Sequence, residues 1–150
     1  MEKVINKILF LMDGSDAALN SANYTLSLAQ THSAIIIAVN VIDPTIVSQL
    51  ARFQKDITIG EIEIELEENG WKYLYYFEEM ALEHKVKNFI ILEHGPVPDR
   101  VISLARKYEV DLIVLPRSSD RGGTKGVIAG KQLEQIIEYA PCYVLISNSK

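Results

Sequence analysis

Short runs of consecutive apolar residues recur along the chain, and polar or proline-containing turns close most of them. Such runs are typical of strands that are buried on both faces of a parallel sheet. The runs occupy residues 8–12, 34–42, 87–93, 111–115 and 143–147. The pattern therefore predicts five strands, and the turns after them mark where the chain leaves the sheet.

Apolar residues between these runs return every three or four positions, which is the spacing of one face of an α-helix. Ser15 or Asp16 can cap the first helix, and Pro141 ends the last one. The periodic positions are Leu19, Ala22, Leu26 and Ala29, then Val101, Leu104, Ala105 and Tyr108, then Leu133, Ile136, Ile137 and Ala140. Alternating strands and helices predict one doubly wound, Rossmann-like α/β domain over residues 1–150, with a five-stranded parallel sheet and helices on both faces.

Residues 45–84, in the middle of the chain, do not show one consistent secondary-structure pattern. Residues 45–60 show no periodicity, so we expect them to be irregular. Residues 61–68 alternate acidic and apolar side chains as a half-exposed strand does, yet glutamate favours helices and helical spacing continues as far as His84. We predict one long helix that ends near His84, with Asn69-Gly70 as the place for an irregularity.

Composition and charge narrow the classes of function. The chain has 150 residues and a formal net charge of −5, which does not favour nucleic acid or an anionic membrane as a partner. No apolar run is long enough to span a bilayer. The single cysteine, Cys142, cannot form an intrachain disulfide, and no Cys or His spacing matches a metal site. We expect a cytoplasmic protein without a metal, a nucleic-acid partner or a membrane partner.

Several segments, taken in order, resemble the universal stress protein family. The matching stretches are residues 8–15, 38–42, 95–96, 111–114 and 140–145. The resemblance implies the sheet order 3-2-1-4-5, frequent homodimers and a role in surviving stress or growth arrest. One branch of the family binds ATP and another does not. The resemblance implies that in the binding branch Asp13 lies at the nucleoside end and backbone near Val41 lies beside the adenine. Asp13 has a second interpretation as a turn residue that bonds its own backbone.

The phosphate loop that the resemblance implies follows the fourth strand. Its pattern is a glycine, two residues, a glycine, nine residues, then a glycine followed by Ser or Thr. Anchoring that pattern on Gly130 places Arg117 and Asp120 at the first two glycines and Lys131 at the hydroxyl position. A one-residue insertion moves those two glycine positions to Pro116 and Ser119, which are not glycines either.

Glycine matters in such a loop because backbone N–H groups must approach phosphate oxygens closely, often at positive φ. A Cβ or a proline ring obstructs this approach, and an aspartate would repel the phosphates. We predict a divergent family member that lacks the usual phosphate-loop glycines. The loop still contains other glycines and basic residues, so a rearranged phosphate loop remains an alternative.

Three hypotheses follow. The first is a non-enzymatic stress-response dimer that acts through an unknown protein partner, without a cofactor and without binding ATP in the usual way. The second is a sensor of ATP or another adenine nucleotide, whose binding residues would be Asp13, Val41, Arg117, Gly130 and Lys131. The third is a slow nucleotide hydrolase or nucleotidyl transferase. The sequence contains no recognisable constellation of base, nucleophile and metal, which weighs against an enzyme.

Residues 143–147 have little charge and are expected at the sheet edge, where they would invite pairing with another chain. We predict a homodimer that pairs these strands in antiparallel fashion. An aromatic cluster at residues 71–77 offers a second surface, with Tyr73 and Tyr76 as interface candidates and Phe77 in the core. Cys142 is interpreted as a packed apolar residue, and His94 is the only histidine expected near the carboxyl edge of the sheet.

Overall fold

Five parallel strands form one sheet in the computed structural model, which describes residues 4–117 and 130–147. The strands are β1 (Lys7–Leu11), β2 (Ile35–Ile42), β3 (Asn88–His94), β4 (Leu112–Pro116) and β5 (Tyr143–Ser147). Their order is β3-β2-β1-β4-β5, and every neighbouring pair is parallel. The predicted α/β class and sheet order are confirmed, and the predicted strand ends differ from the observed ones by one residue at most.

Helices cover both faces of this sheet. They are α1 (Asp16–His32), α2 (Pro44–Phe53), α3 (Ile59–Glu83), α4 (Val97–Lys107) and α5 (Gly130–Tyr139). Helices α1 and α3 share one buried apolar cluster with the sheet, and α4 and α5 share another. Within residues 4–117 and 130–147, none of the helices combines the length and apolar character that crossing a membrane requires.

The strands contribute side chains to both clusters because successive side chains on a strand point to opposite faces of the sheet. Ile8 and Phe10 of β1 face α1 and α3, whereas Leu9 and Leu11 face α4 and α5. Phe77 of α3 is fully buried, and its ring centroid lies 5.2 Å from that of Phe10. The prediction that Phe77 is a core residue is therefore confirmed.

The expectation of irregular chain over residues 45–60 is wrong, because α2 spans Pro44–Phe53. Asp43 caps this helix by accepting a hydrogen bond from the Thr45 backbone N–H at 2.9 Å, and Pro44 occupies the first turn, where its missing N–H costs nothing. Val47 is buried and packs with Ile62 of α3. The sequence did contain the start signal, an aspartate followed by a proline.

Helix α3 resolves the conflict over residues 61–68 in favour of helix. Thr58 caps it by accepting a hydrogen bond from the Glu61 backbone N–H at 3.1 Å, and the Thr58 hydroxyl donates to the Glu61 carboxylate at 3.2 Å. The alternation of acidic and apolar residues does not form two faces here, since Ile62 is buried while Ile64 is exposed. The helix then runs to Glu83 as one element.

Gly70 stands where the sequence suggested an irregularity, and the structure shows a different reason for the glycine. An added Cβ would lie 2.6 Å from Oδ1 of Asn40 on β2 and 2.8 Å from Cδ1 of Leu92 on β3. Helix α3 therefore passes so close to the sheet at this point that no side chain fits. A Cβ added to Gly60, in the first turn of the same helix, would meet Thr58 Oγ1 at 3.9 Å, which is an ordinary van der Waals contact.

We expect Gly70→Ala to lower the free energy of unfolding by about 1–2 kcal/mol, because overpacking outweighs the helix propensity of about 1 kcal/mol that alanine gains. Gly60→Ala is the matched control and should be neutral or stabilising by up to about 1 kcal/mol. Urea denaturation of both variants measures the difference.

Asn40→Ala removes Oδ1 and Cγ of Asn40, two of the three nearest atoms that the added methyl group would meet, so the cost of Gly70→Ala should shrink when both changes are combined. Equal and stabilising effects of Gly60→Ala and Gly70→Ala would contradict the close approach of α3 to β2.

Candidate functional site

A pocket of about 250 Å³ opens at the carboxyl ends of β1 and β2, beneath helices α2 and α3. Strand β1 is flanked by β2 on one side and β4 on the other, so the strand order reverses beside the pocket. Ligands of open α/β sheets bind outside the carboxyl ends of the strands at such a reversal. The position of the pocket makes it the candidate site.

Asp13 follows β1 and is nearly buried at the wall of the pocket. Its Oδ1 accepts a hydrogen bond from the Ser15 backbone N–H at 2.9 Å, and Ser15 Oγ accepts one from the Ala18 backbone N–H at 3.1 Å, which caps α1. The turn interaction expected for Asp13 is therefore present. The same carboxylate also lines the pocket, so its turn role holds it in place there.

Asn40 is a pocket residue that the sequence analysis did not single out. It is buried in β2, and its Nδ2 donates to the Met12 backbone carbonyl at 2.9 Å. The Met12 N–H in turn donates to the Val39 carbonyl at 2.8 Å, so β1 stays tied to β2 just before the chain reaches Asp13. An amide within an otherwise apolar strand is the signal that could have identified it, because buried polar groups require partners.

Val41 and Asp43 form the β2 end of the pocket. The Val41 side chain packs in the core on the α4–α5 side of the sheet. Asp43 is buried, and its second carboxylate oxygen accepts a hydrogen bond from the Val97 backbone N–H at 3.4 Å, at the start of α4. Asp43 therefore holds the first turns of both α2 and α4 against the end of β2.

Tyr73 of α3 closes the pocket on the side of the β1 turn. Gly14 has a φ of +79°, and a Cβ added there would overlap the Tyr73 ring. Gly14 thus permits both the turn and the contact with the helix. Of the two tyrosines expected at an interface, Tyr73 is half-buried in this contact and Tyr76 is exposed.

The pocket has an acidic lining. Its described lining residues include Asp13, Asp43 and Glu65 but no lysine or arginine. Carboxylates favour ligand groups that donate hydrogen bonds and oppose phosphates. The pocket also has apolar walls, to which Ile46 and Leu50 of α2 contribute. This combination suits a small, mostly neutral ligand that carries N–H or O–H groups.

The other three predicted binding residues lie apart from this pocket. Arg117 follows β4, where its backbone N–H donates to the Ser147 carbonyl at 2.9 Å, and its side chain is exposed. Gly130 and Lys131 begin α5, and both are exposed. A Cβ added to Gly130 would meet no described atom within 4 Å. The rest of the predicted phosphate loop, residues 118–129, lies outside the described residues.

The sequence matches the family model of the universal stress protein family over residues 5–148. The chain belongs to the universal stress protein family. A curated relative, universal stress protein MJ0531 of Methanocaldococcus jannaschii, is 28% identical over 145 residues, which cover 97% of this chain and 83% of the relative. The sequence resemblance stated above is therefore confirmed at the level of the family.

Solved structures share the fold of this universal stress protein. The hypothetical protein MJ0577 superposes with a TM-score of 0.79 at 18% identity, covering 98% of both chains. A universal stress protein in complex with cAMP has a TM-score of 0.67 at 16% identity, covering 97% of this chain and 98% of the other. One from Archaeoglobus fulgidus in complex with dAMP has a TM-score of 0.63 at 13% identity, covering 97% and 99%.

Cys142 of this universal stress protein precedes β5 and packs against the core on the α4–α5 side. Burial raises the pKa of its thiol above the ordinary value, and the nearby Asp111 carboxylate raises that pKa further. Because the thiolate is the reactive form, a raised pKa makes the thiol less nucleophilic at neutral pH. This agrees with the interpretation of Cys142 as a packing residue.

We expect Cys142 in the folded protein to react with a disulfide reagent such as DTNB at least tenfold more slowly at pH 7.5 than in the urea-unfolded protein. The rate should rise with pH beyond the range where an ordinary cysteine levels off, because the raised pKa delays thiolate formation. Following the absorbance of the released thiolate measures both effects. A folded-state rate equal to the unfolded one would contradict this account.

Proposed function

We propose that this protein is a non-enzymatic stress-response protein that binds the nucleoside part of an adenine compound and does not hold ATP in the family's usual way. The observation that carries the proposal is the pocket that joins Asp13 and Val41 under α2 and α3, with an acidic and apolar lining. These two residues are the ones that the family resemblance assigns to the nucleoside end.

The lining chemistry supports a nucleoside. The amino group of adenine and the hydroxyl groups of ribose donate hydrogen bonds, and the Asp13 carboxylate is a fixed acceptor at the pocket wall. Apolar side chains of α2 and the ring of Tyr73 offer surfaces for the flat base. A volume of about 250 Å³ is small for a ligand pocket, which favours a nucleoside over a dinucleotide.

The charges in and around the pocket disfavour tight binding of a triphosphate. The described lining contains the carboxylates of Asp13, Asp43 and Glu65, whereas Arg117 and Lys131 are exposed outside it. Two structural neighbours were solved with cAMP and dAMP, which carry one phosphate each. Adenosine or a monophosphate ligand therefore fits the proposal better than ATP does.

A catalytic role has less support than a binding role. Hydrolysis or nucleotidyl transfer needs a positioned base, a nucleophile or a metal close to the reacting phosphate. The described pocket lining has no histidine, cysteine or lysine. A protein that binds a ligand without catalysing a reaction would act through a partner. That partner, an unidentified protein, would recognise the ligand-bound form.

We also propose that the protein forms a homodimer through β5. This strand lies at the end of the sheet and pairs only with β4 within the described chain. Tyr143 is strongly exposed, and Val144, Leu145 and Ile146 are only partly buried. An edge with unpaired backbone groups and few charges favours pairing with a second copy.

We expect adenosine and AMP to bind nucleotide-free protein with similar affinity and ATP to bind no more tightly than AMP. Asp13→Asn should weaken adenosine and AMP alike, by about 10- to 100-fold, since it removes a charged acceptor. Lys131→Ala should leave adenosine binding unchanged. Calorimetric titration, with and without magnesium, measures these affinities.

Asp99→Asn is the matched control, because Asp99 is an exposed carboxylate on α4, on the opposite side of the sheet. It should bind all three ligands as the unaltered protein does. A different result would indicate the family's usual mode of phosphate binding: ATP would bind a hundredfold more tightly than adenosine, and Lys131→Ala would abolish ATP binding. An absence of binding by all three compounds would contradict the role of the pocket.

We expect the unaltered protein to sediment as a dimer at micromolar concentration and Tyr143→Lys to sediment as a monomer. A lysine places a charge on the edge strand, which disfavours pairing with a second copy. Tyr76→Lys, on the exposed surface of α3, is the matched control and should stay dimeric. Dissociation by Tyr76→Lys alone would place the interface on the aromatic surface of α3.

A further inference from the structure

Three side chains that can bind a metal ion meet at the carboxyl end of β3. Glu63 and Glu67 belong to α3, and His94 is the last residue of β3. His94 Nε2 lies 2.8 Å from Glu67 Oε1 and 4.0 Å from Glu63 Oε1, and one ligand atom from each residue lies within 4.8 Å of the others. None of the three lines the pocket described above.

The fold brings these residues together. Glu63 and Glu67 are four residues apart on α3, so they lie side by side on one surface of the helix. His94 pairs in register with Ile42 of β2, on the sheet face that α3 covers. The sequence analysis found no metal-ligand spacing because His94 is separated from Glu67 by 27 positions along the chain.

We propose that Glu63, Glu67 and His94 form a binding site for a divalent transition-metal ion such as Zn²⁺. Zinc binds histidine nitrogen and carboxylate oxygen at about 2.0–2.2 Å, which puts ligand atoms of a tetrahedral site roughly 3.4 Å apart. The observed distances from His94 Nε2, 2.8 and 4.0 Å, lie on either side of that value. Small changes of side-chain rotamer would complete the site.

Access and charge both favour an ion here. The three side chains are 36–48% exposed, so an ion can enter and water can occupy the remaining coordination position. Two carboxylates and a neutral imidazole together balance the charge of a divalent cation. The imidazole selects transition metals over Mg²⁺ and Ca²⁺, which prefer oxygen ligands.

An ordinary ion pair accounts less well for the second glutamate. A protonated His94 needs only one carboxylate partner, and an exposed pair of this kind contributes little to stability. Two like charges one helical turn apart repel each other. Within the described ranges, no lysine or arginine nitrogen lies within 4.0 Å of the Glu63 or Glu67 carboxylates. A divalent cation would relieve that repulsion.

The test is calorimetric titration of the untagged 150-residue chain with ZnCl₂ after chelator treatment and dialysis. We expect one Zn²⁺ per chain, and at least tenfold weaker binding in His94→Gln and in Glu67→Gln. His32→Gln and Cys142→Ser are the matched controls, because they change other zinc-ligand residues, and they should bind as the unaltered protein does. Circular dichroism confirms that each variant is folded.

A second measurement is the thermal midpoint, since an ion that binds only the folded state raises it. Zn²⁺ should raise the midpoint of the unaltered protein and of His32→Gln but not that of His94→Gln, and Mg²⁺ should not substitute. Equal zinc affinity in His94→Gln and the unaltered protein would overturn the proposal. So would binding that is lost in Cys142→Ser, or no binding at millimolar zinc.

Discussion

The close approach of α3 to the carboxyl ends of β1 and β2 is the contact on which the candidate site depends. Gly70 has no room for a Cβ beside Asn40 of β2, and Gly14 has none beneath the Tyr73 ring. Because Gly70 on the helix and Gly14 in the turn have no Cβ, α3 can pack closely against the edge of the sheet. Protein interiors are packed too densely for such an overlap to be absorbed without movement.

That contact has two consequences on different sides of the same helix. On one side, Ile62, Leu66 and Tyr73 form a wall of the pocket at the ends of β1 and β2. On the other side, Glu63 and Glu67 are held against His94 at the end of β3. The position of α3 thus sets the geometry of the candidate pocket and of the proposed metal site together.

The chain keeps the fold of its family while its pocket is acidic. The sheet is held by two apolar clusters, one on each face. The pocket residues lie where the strands end, and Asp13 and Asp43 lie outside the two clusters, whereas Val41 belongs to one of them. Asp13 serves both the fold and the pocket. One oxygen of its carboxylate holds the turn into α1, and the side chain lines the pocket.

The sequence alone determined the five strands and the α/β class, because buried parallel strands and amphipathic helices leave periodic patterns that need no long-range information. The family followed from the ordered resemblance of residues 8–15, 38–42, 95–96, 111–114 and 140–145. That resemblance also pointed to Asp13 and Val41, which the fold brings to one pocket. Helix α2 was missed although its capping aspartate and proline were visible, since its apolar pattern is short.

Only the tertiary structure decided why Gly70 is a glycine, that Asn40 joins β1 to β2, and that His94 meets two glutamates of α3. Each of these depends on contacts between residues far apart in the chain, and local patterns carry no record of such contacts.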